Sequence, residues 1–417
     1  MIRKISWLVV ILTLVACGPA VIAPPTVTPN PSSTPAPTVT STSAPTATST
    51  PIAVTERCVE ILPAFPESDV PSGALVISSL ARLSLLNFRL QTERSISGRH
   101  FYAVSTSPNG KWLSYINIPP LDQTKDYAEL IVELANGQKQ TQVILDSDHV
   151  IYDWIPWLGN ERIWSILDQS GVIVDPSTFV LDPFTGEGQV ISPDYPGLAP
   201  FDAPAGGLWL HFGWSNVAYD PSLQLVVYPK KEDDGYYIAL WNRETKQEIV
   251  KIPTSWRYGY LPLWFTDGSA FVVAAQPEPD KPPEWLKVSR DGEIRQLTHF
   301  GNLYALYGFG TESSLSPDGR YLAFGFHRGD PHQLRPLELV ILDLQTLEAV
   351  NTCMTFNYFP IWSPDGRYLA VQHRDDNKKQ NSVMVLDFEQ GWAVAVFTDD
   401  KETNYRTYPR GWLDTGE

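Results

Sequence analysis

The nine residues SPDGRYLAF, Ser316–Phe324, return as SPDGRYLAV at Ser363–Val371. Proline at the second position presets φ, Asp bonds to its own local backbone, and Gly permits φ > 0, so SPDG spells a tight turn. The residues after it are apolar or aromatic and alternate in the manner of a strand. With one preceding residue included, the frame reads LSPDGRYLAF at Leu315–Phe324 and WSPDGRYLAV at Trp362–Val371. It also fits WFTDGSAFVV (Trp264–Val273) and TSPNGKWLSY (Thr106–Tyr115). YDPSLQLVVY (Tyr219–Tyr228) fits more loosely, WLGNERIWSI (Trp157–Ile166) is a weaker copy, and WLDTGE (Trp412–Glu417) is a truncated one. The turns fall near positions 110, 160, 223, 268, 319, 366 and 416, and steps of roughly 50 residues indicate an array of one supersecondary unit. Pro108, Asn109, Gly110, Asp267, Gly268, Pro317, Asp318, Gly319, Pro364, Asp365 and Gly366 are therefore read as structural turn residues, not as a repeated active site.

Each turn is followed by a second hairpin. Six are legible: Glu129–Ile144, Thr178–Ile191, Tyr237–Val250, Trp285–Thr298, Leu337–Val350 and Ser382–Phe397. Adding the strand before each SPDG-like turn gives four antiparallel strands per unit. Such units, repeated radially, make an all-β protein of the β-propeller class. The seventh turn phrase stops with one strand at most, while GALVISS (Gly73–Ser79) and LSLLNF (Leu83–Phe88) carry no turn phrase of their own. One blade shared by N- and C-terminal strands closes a ring of seven, with six or eight blades as the alternatives.

The phrase W-S-P-D-G-R-Y-L-A followed by a V-x-L-D hairpin resembles the WD40-like repeat of TolB-type propellers, often called PD40. The likeness covers residues 60–417 roughly, and is strongest around Gly319 and Gly366 and weakest around 160 and 223. It implies a propeller in an exported or periplasmic protein that acts as an interaction scaffold. Cys58–Gly73 is too short for the additional N-terminal α/β domain of TolB itself.

The N-terminus agrees with export. Arg3 and Lys4 precede an apolar run, Ile5–Val15, which is shorter than a membrane span and ends in Leu14-Val15-Ala16-Cys17. That ending resembles a bacterial lipobox, so residues 1–16 read as a lipoprotein signal peptide and Cys17 as the acylated residue holding the chain to a membrane. Residues 17–57 form a Pro/Thr/Ser-rich tether; between Gly18 and Ala53 it carries no charge and too little apolar surface to offset its ordering entropy. Extended, it reaches on the order of 100 Å. The propeller occupies 58–417. With Cys17 assigned to lipid, Cys58 and Cys353 are left as a disulfide or as two separate thiols.

The chemistry of catalysis is largely missing. A formal charge of −16, about −18 without the leader, disfavours nucleic acid. No G-x-S-x-G peptidase motif occurs; GWSNV at Gly213–Val217 lacks the second Gly. The SPDG turns lack the Thr-Trp tail of sialidase boxes. His327, Asp330 and His332 are the one tight histidine group and would need further ligands to hold a metal, so neither a metal nor a cofactor is expected. Trp157, Tyr219, Trp264, Trp362 and Trp412 share one frame position and are expected to pack between blades. Aromatics that do not repeat are the better binding candidates: Trp214, Trp256, Arg257, Tyr258, Tyr260, Tyr307 and Phe309. The expectation is a monomeric, extracytoplasmic, lipid-anchored and non-enzymatic scaffold for a cell-envelope protein. A glycan- or small-ligand-binding module is the second reading, and a propeller enzyme the third.

Overall fold

A computed structural model describes residues 54–79, 82–97, 101–117, 127–146, 150–151, 157–168, 177–191, 194–196, 217–254, 262–276, 283–300, 304–305, 313–328, 337–356, 360–375, 380–399 and 407–416. They fold as a seven-bladed β-propeller. Blade 1 contains Phe101–Thr106, Leu113–Asn117, Tyr127–Glu133 and Lys139–Asp146. In blade 2, Val150–Ile151 and Trp157–Leu158 both pair with Arg162–Asp168, followed by Ser177–Leu181 and Gly188–Ile191. Blade 3 runs Ala218–Tyr219, Leu225–Glu232, Gly235–Asn242 and Gln247–Thr254; blade 4 runs Leu263–Trp264, Ala270–Ala275, Glu284–Ser289 and Ile294–Gln296. In blade 5, Tyr304–Ala305 and Ser313–Leu315 pair with Tyr321–Arg328, then Leu337–Asp343 and Ala349–Phe356 follow. Blade 6 runs Ile361–Trp362, Leu369–Asp375, Gln380–Asp387 and Trp392–Thr398. All six hairpins expected from sequence join the third and fourth strands of blades 1 to 6.

Blade 7 is shared. The C-terminal strand Tyr408–Leu413 pairs antiparallel with Ala74–Ser79, which continues into Arg82–Asn87 and Thr92–Ser97. The period of two on Ala74–Ile77 shows why this strand closes the ring. Ala74 and Val76 pack with Val104, Leu113 and Ile131 of blade 1, while Leu75 and Ile77 pack with Ala370, Val385 and Trp392 of blade 6. Both faces of the sheet are buried against a neighbour, so the strand is apolar throughout rather than alternating. Each fully buried Leu, Ile or Val contributes about 1.5–3 kcal/mol. The fit is close: a methyl group on Gly411 would lie 2.1 Å from Thr106 Oγ1 of blade 1.

Besides the divided first strands of blades 2 and 5, one further element departs from the four-strand pattern. Before reaching blade 7, the chain adds a parallel fifth strand to two blades. Thr55–Glu56 pairs with Val350 and Asn351 on the rim of blade 5, and Glu60–Leu62 pairs with Trp392–Val394 on the rim of blade 6. Arg57 N donates to Asn351 O at 2.9 Å, Val59 N to Thr352 O at 3.1 Å and Glu60 N to Gly391 O at 2.8 Å. Cys58 and Cys353 form a disulfide, Cα–Cα 4.8 Å, across this strap.

Candidate functional site

The repeated phrase builds the same turn wherever it is intact. In blade 5, Ser316 Oγ donates to Asp318 Oδ1 at 2.5 Å and accepts from Tyr321 N at 2.8 Å, while Arg320 N donates to Asp318 Oδ1 at 3.0 Å. Ser363, Asp365, Arg367 and Tyr368 repeat these contacts in blade 6, and Ser107, Asn109, Lys111 and Trp112 do so in blade 1. The hydroxyl and carboxylate are thus consumed within the turn. Gly319 has φ +70°, and a methyl there would meet Phe265 of the preceding blade at 2.6 Å. The turn sets both the backbone conformation and the closeness of the neighbour.

Arg of SPDGR is structural as well. Arg320 donates to Asp343 at 3.1 Å and lies over the Tyr321 ring, and Arg367 donates to Asp387 at 2.8 Å and to Asp69 at 2.7 Å. Asp343 also accepts from Gln345 N and Thr346 N, holding the turn of the second hairpin. Burial alone would push the Asp343 carboxyl up; the donors Thr346 N–H, Gln345 N–H and Arg320 outweigh it and hold it below the usual carboxylate range. The V-x-L-D acid and the SPDGR base therefore clamp two hairpins of one blade together.

The recurring aromatics lie between blades. Trp157 Nε1 donates to Ser114 Oγ, Trp264 Nε1 to Ala218 O, Trp362 Nε1 to Ser314 O and Trp412 Nε1 to Ile361 O, at 3.1–3.2 Å and always to the preceding blade. In blade 3 the equivalent Tyr219 is buried beneath Arg243. Other joints carry charge: Arg94 of blade 7 pairs with buried Glu133 of blade 1, and Arg290 of blade 4 with fully buried Asp220 of blade 3.

Strand order divides the molecule into two faces. Successive antiparallel strands put the SPDG-like turns and the turns of the second hairpins at one face. The connections between second and third strands, and between blades, leave from the other. The first face is closely built: Asn109 N donates to Asn160 Oδ1, and Thr266 Oγ1 to Pro317 O, each a contact between adjacent turns. At the second face the described part includes buried Glu284, which accepts from Thr298 Oγ1 at 2.6 Å, and the hairpin Glu232–Gly235. Near that hairpin Lys230 pairs with both Glu232 and Glu248.

Trp214, Trp256, Arg257, Tyr258, Tyr260, Tyr307 and Phe309 lie outside the described residues, as do Cys17, Asp330 and His332. Their chain positions are fixed by what flanks them. Trp214 precedes Ala218–Tyr219, Trp256 to Tyr260 fall between Gln247–Thr254 and Leu263–Trp264, and Tyr307 and Phe309 precede Ser313–Leu315. Among the described residues, no group of three or more His, Cys, Asp or Glu side chains could hold a metal. The strap and its parallel pairing carry no signal in the sequence, because TERCVEIL has no counterpart in the repeat.

These features define a seven-bladed, end-closed β-propeller with distant structural similarity to TolB propellers. TolB from Acinetobacter baumannii is 14% identical over 80% of this chain and 78% of its own, with a TM-score of 0.44. Oligogalacturonate lyase from Vibrio parahaemolyticus is 15% identical over 85% and 92%, TM-score 0.47. The Cps50 (Swd1) β-propeller domain of Myceliophteria thermophila is 12% identical over 78% and 95%, TM-score 0.43. At these identities the likeness is one of fold alone. No family model and no curated protein matches the sequence.

Proposed function

We propose that this chain is an exported propeller, held to a membrane by acylated Cys17, that binds a cell-envelope protein without catalysing a reaction. The observation that carries the reading is the contrast between faces. One is made of near-identical short turns whose polar groups bond to each other and to their neighbours. At the other, successive blades are joined by connections of unequal length, among them those from Ile191 to Ala218 and from Thr254 to Leu263. A binding surface needs such differences, because a partner rarely presents sevenfold symmetry. In the chain, Trp214 falls in the first of these connections, Trp256, Arg257, Tyr258 and Tyr260 in the second, and Tyr307 and Phe309 between Tyr304–Ala305 and Ser313–Leu315 of blade 5; these seven are the proposed contact residues. The acidic balance and the uncharged, Pro/Thr/Ser-rich tether fit an exported chain.

The test is pull-down from detergent-solubilised envelope with the parent chain and with Trp214→Ala and Trp256→Ala. One stoichiometric protein retained by the parent and lost from both variants supports the reading. Equal retention by the variants removes these residues from the contact. Absence of a protein, together with a glycan-array signal that quenches Trp fluorescence, would replace the protein partner with a glycan.

A further inference from the structure

The disulfide lies outside the packed ring. Cys58 and Cys353 are both exposed, and of the strap's residues Thr55, Glu56, Arg57, Glu60 and Ile61 are exposed too. Val54, Val59 and Leu62 are the apolar side chains it turns inward. The ion pair of Arg57 with Glu348 is long at 3.8 Å and about half exposed on both sides, so it adds little. The blade edge beneath is differently made. Asn351 and Thr352 are buried, Asn351 Nδ2 donates to Glu338 Oε2 at 2.5 Å, and Thr352 Oγ1 donates to Leu339 O at 3.0 Å. Register shifts there between Glu338 and Val340. Cys353 sits in this bulge at φ +59°, its N–H bonded to Asn351 Oδ1 at 2.8 Å, and its side chain faces solvent. Bulges re-aim a side chain, and this one is held by groups of blade 5 that do not involve the strap.

We propose that Cys58–Cys353 is a site of thiol–disulfide exchange with a dithiol reductant, and that opening it detaches residues 54–62 from blades 5 and 6 while the ring stays closed. A thiolate of the reductant attacks one sulfur, forming a mixed disulfide and expelling the other cysteine as thiolate, which takes up a proton. The reductant's second thiol then attacks its own sulfur, closing its disulfide and releasing the second cysteine. Two electrons pass from the dithiol to the protein, and two protein thiols result. Exposure of both cysteines provides access. Besides the disulfide, the strap is held by short parallel pairings to the rims of blades 5 and 6 and by three inward apolar side chains, a far smaller buried contact than the one that closes the ring. Ring closure is independent, because it rests on Tyr408–Leu413 against Ala74–Ser79 and on the side chains buried there. The inference does not depend on the proposed partner.

The experiment is amide hydrogen exchange on the full chain before and after dithiothreitol, with thiol titration and limited trypsin digestion at Arg57. The expected result is two thiols appearing without denaturant. Exchange at Arg57, Val59 and Glu60 should rise on the order of a hundredfold, with Leu75–Ile77 and Leu369–Val371 unchanged. Cleavage after Arg57 should appear with reduction and disappear on reoxidation, and the Cys58→Ser, Cys353→Ser pair should match the reduced chain. Thiols that titrate only in denaturant would overturn the exchange site. Unchanged exchange at the strap, or loss of protection throughout the ring, would overturn the latch.

Discussion

Trp412 donates its indole N–H to the carbonyl of Ile361 at 3.1 Å, tying the last strand of the chain to the first strand of blade 6. Trp412 is 1% exposed and packs against Tyr368 and Phe88, so one side chain joins the C-terminus, blade 6 and the N-terminal half of blade 7. Trp412→Ala is expected to cost about 3–5 kcal/mol in denaturant unfolding, through cavity formation and the lost bond. Trp412→Phe, which keeps most of the apolar volume, should cost clearly less. Equal losses would mean that the ring's packing is not what matters.

Arg290 and Asp220 make a second prediction. Asp220 is fully buried and also accepts from Leu225 N at 2.6 Å and from the Ser222 hydroxyl, while the Arg290 side chain is 36% exposed. Arg290→Met strands a buried carboxylate and should cost about 3 kcal/mol, the lower end for such a loss. Arg320→Met, at a more exposed pair, should cost under about 1 kcal/mol beyond its packing loss. Chemical denaturation of the two variants checks the contrast.

Acid should destabilise the blades through their turns. Asp267 lies below its ordinary value because Ser269 N–H donates to it at 2.8 Å, and Asp343 does so for the reasons given above. A carboxyl lowered in the folded state contributes stability above its unfolded value, about 3.9, and loses it as pH falls through the folded value. The urea midpoint should therefore be flat from neutral pH to about pH 5 and fall below about pH 4. Asp343→Asn should lower the neutral midpoint and flatten the acid limb. A variant as acid-sensitive as the parent would contradict this assignment.

The proposed anchor at Cys17 is tested by processing. Globomycin, which blocks lipoprotein maturation, should leave an unprocessed precursor, and Cys17→Ser should move the chain from the membrane to the soluble fraction. Normal maturation in globomycin would remove the lipid from Cys17.

Much of the ring could be read from residues because it is built from local rules. Ser316, Asp318 and Gly319 satisfy one another within a few residues, so their pattern survives in the sequence and repeats with the blade. Closure was legible for the same reason: Ala74–Ser79 is a strand without a turn phrase. Where another solution satisfies the same geometry, legibility falls. In blade 3, Asp220 replaces Ser and Leu223 occupies the left-handed position at φ 63°, while the blade 2 turn is one residue shorter, pairing Leu158 with Arg162. The strap left no pattern, since parallel pairing with a rim some three hundred residues away depends only on exposed backbone groups. The proposed contact residues share that difficulty: Trp214 and Trp256 do not repeat, and a non-repeating aromatic has no internal copy to compare with.

The placement of the disulfide also sets the mechanical path through the protein. Tension arriving from the residues before Val54 meets Cys58 before it meets Ala74–Ser79, the strand whose removal would open the ring. The sulfur bridge diverts that load into Cys353, within the outer strand of blade 5, where a whole sheet shares it. Oxidised, the chain can be pulled by its N-terminus without loading its own closure. With the bridge opened, only the strap's hydrogen bonds and the contacts of Asp69 with Arg367 and Tyr368 would stand between the same pull and the seam.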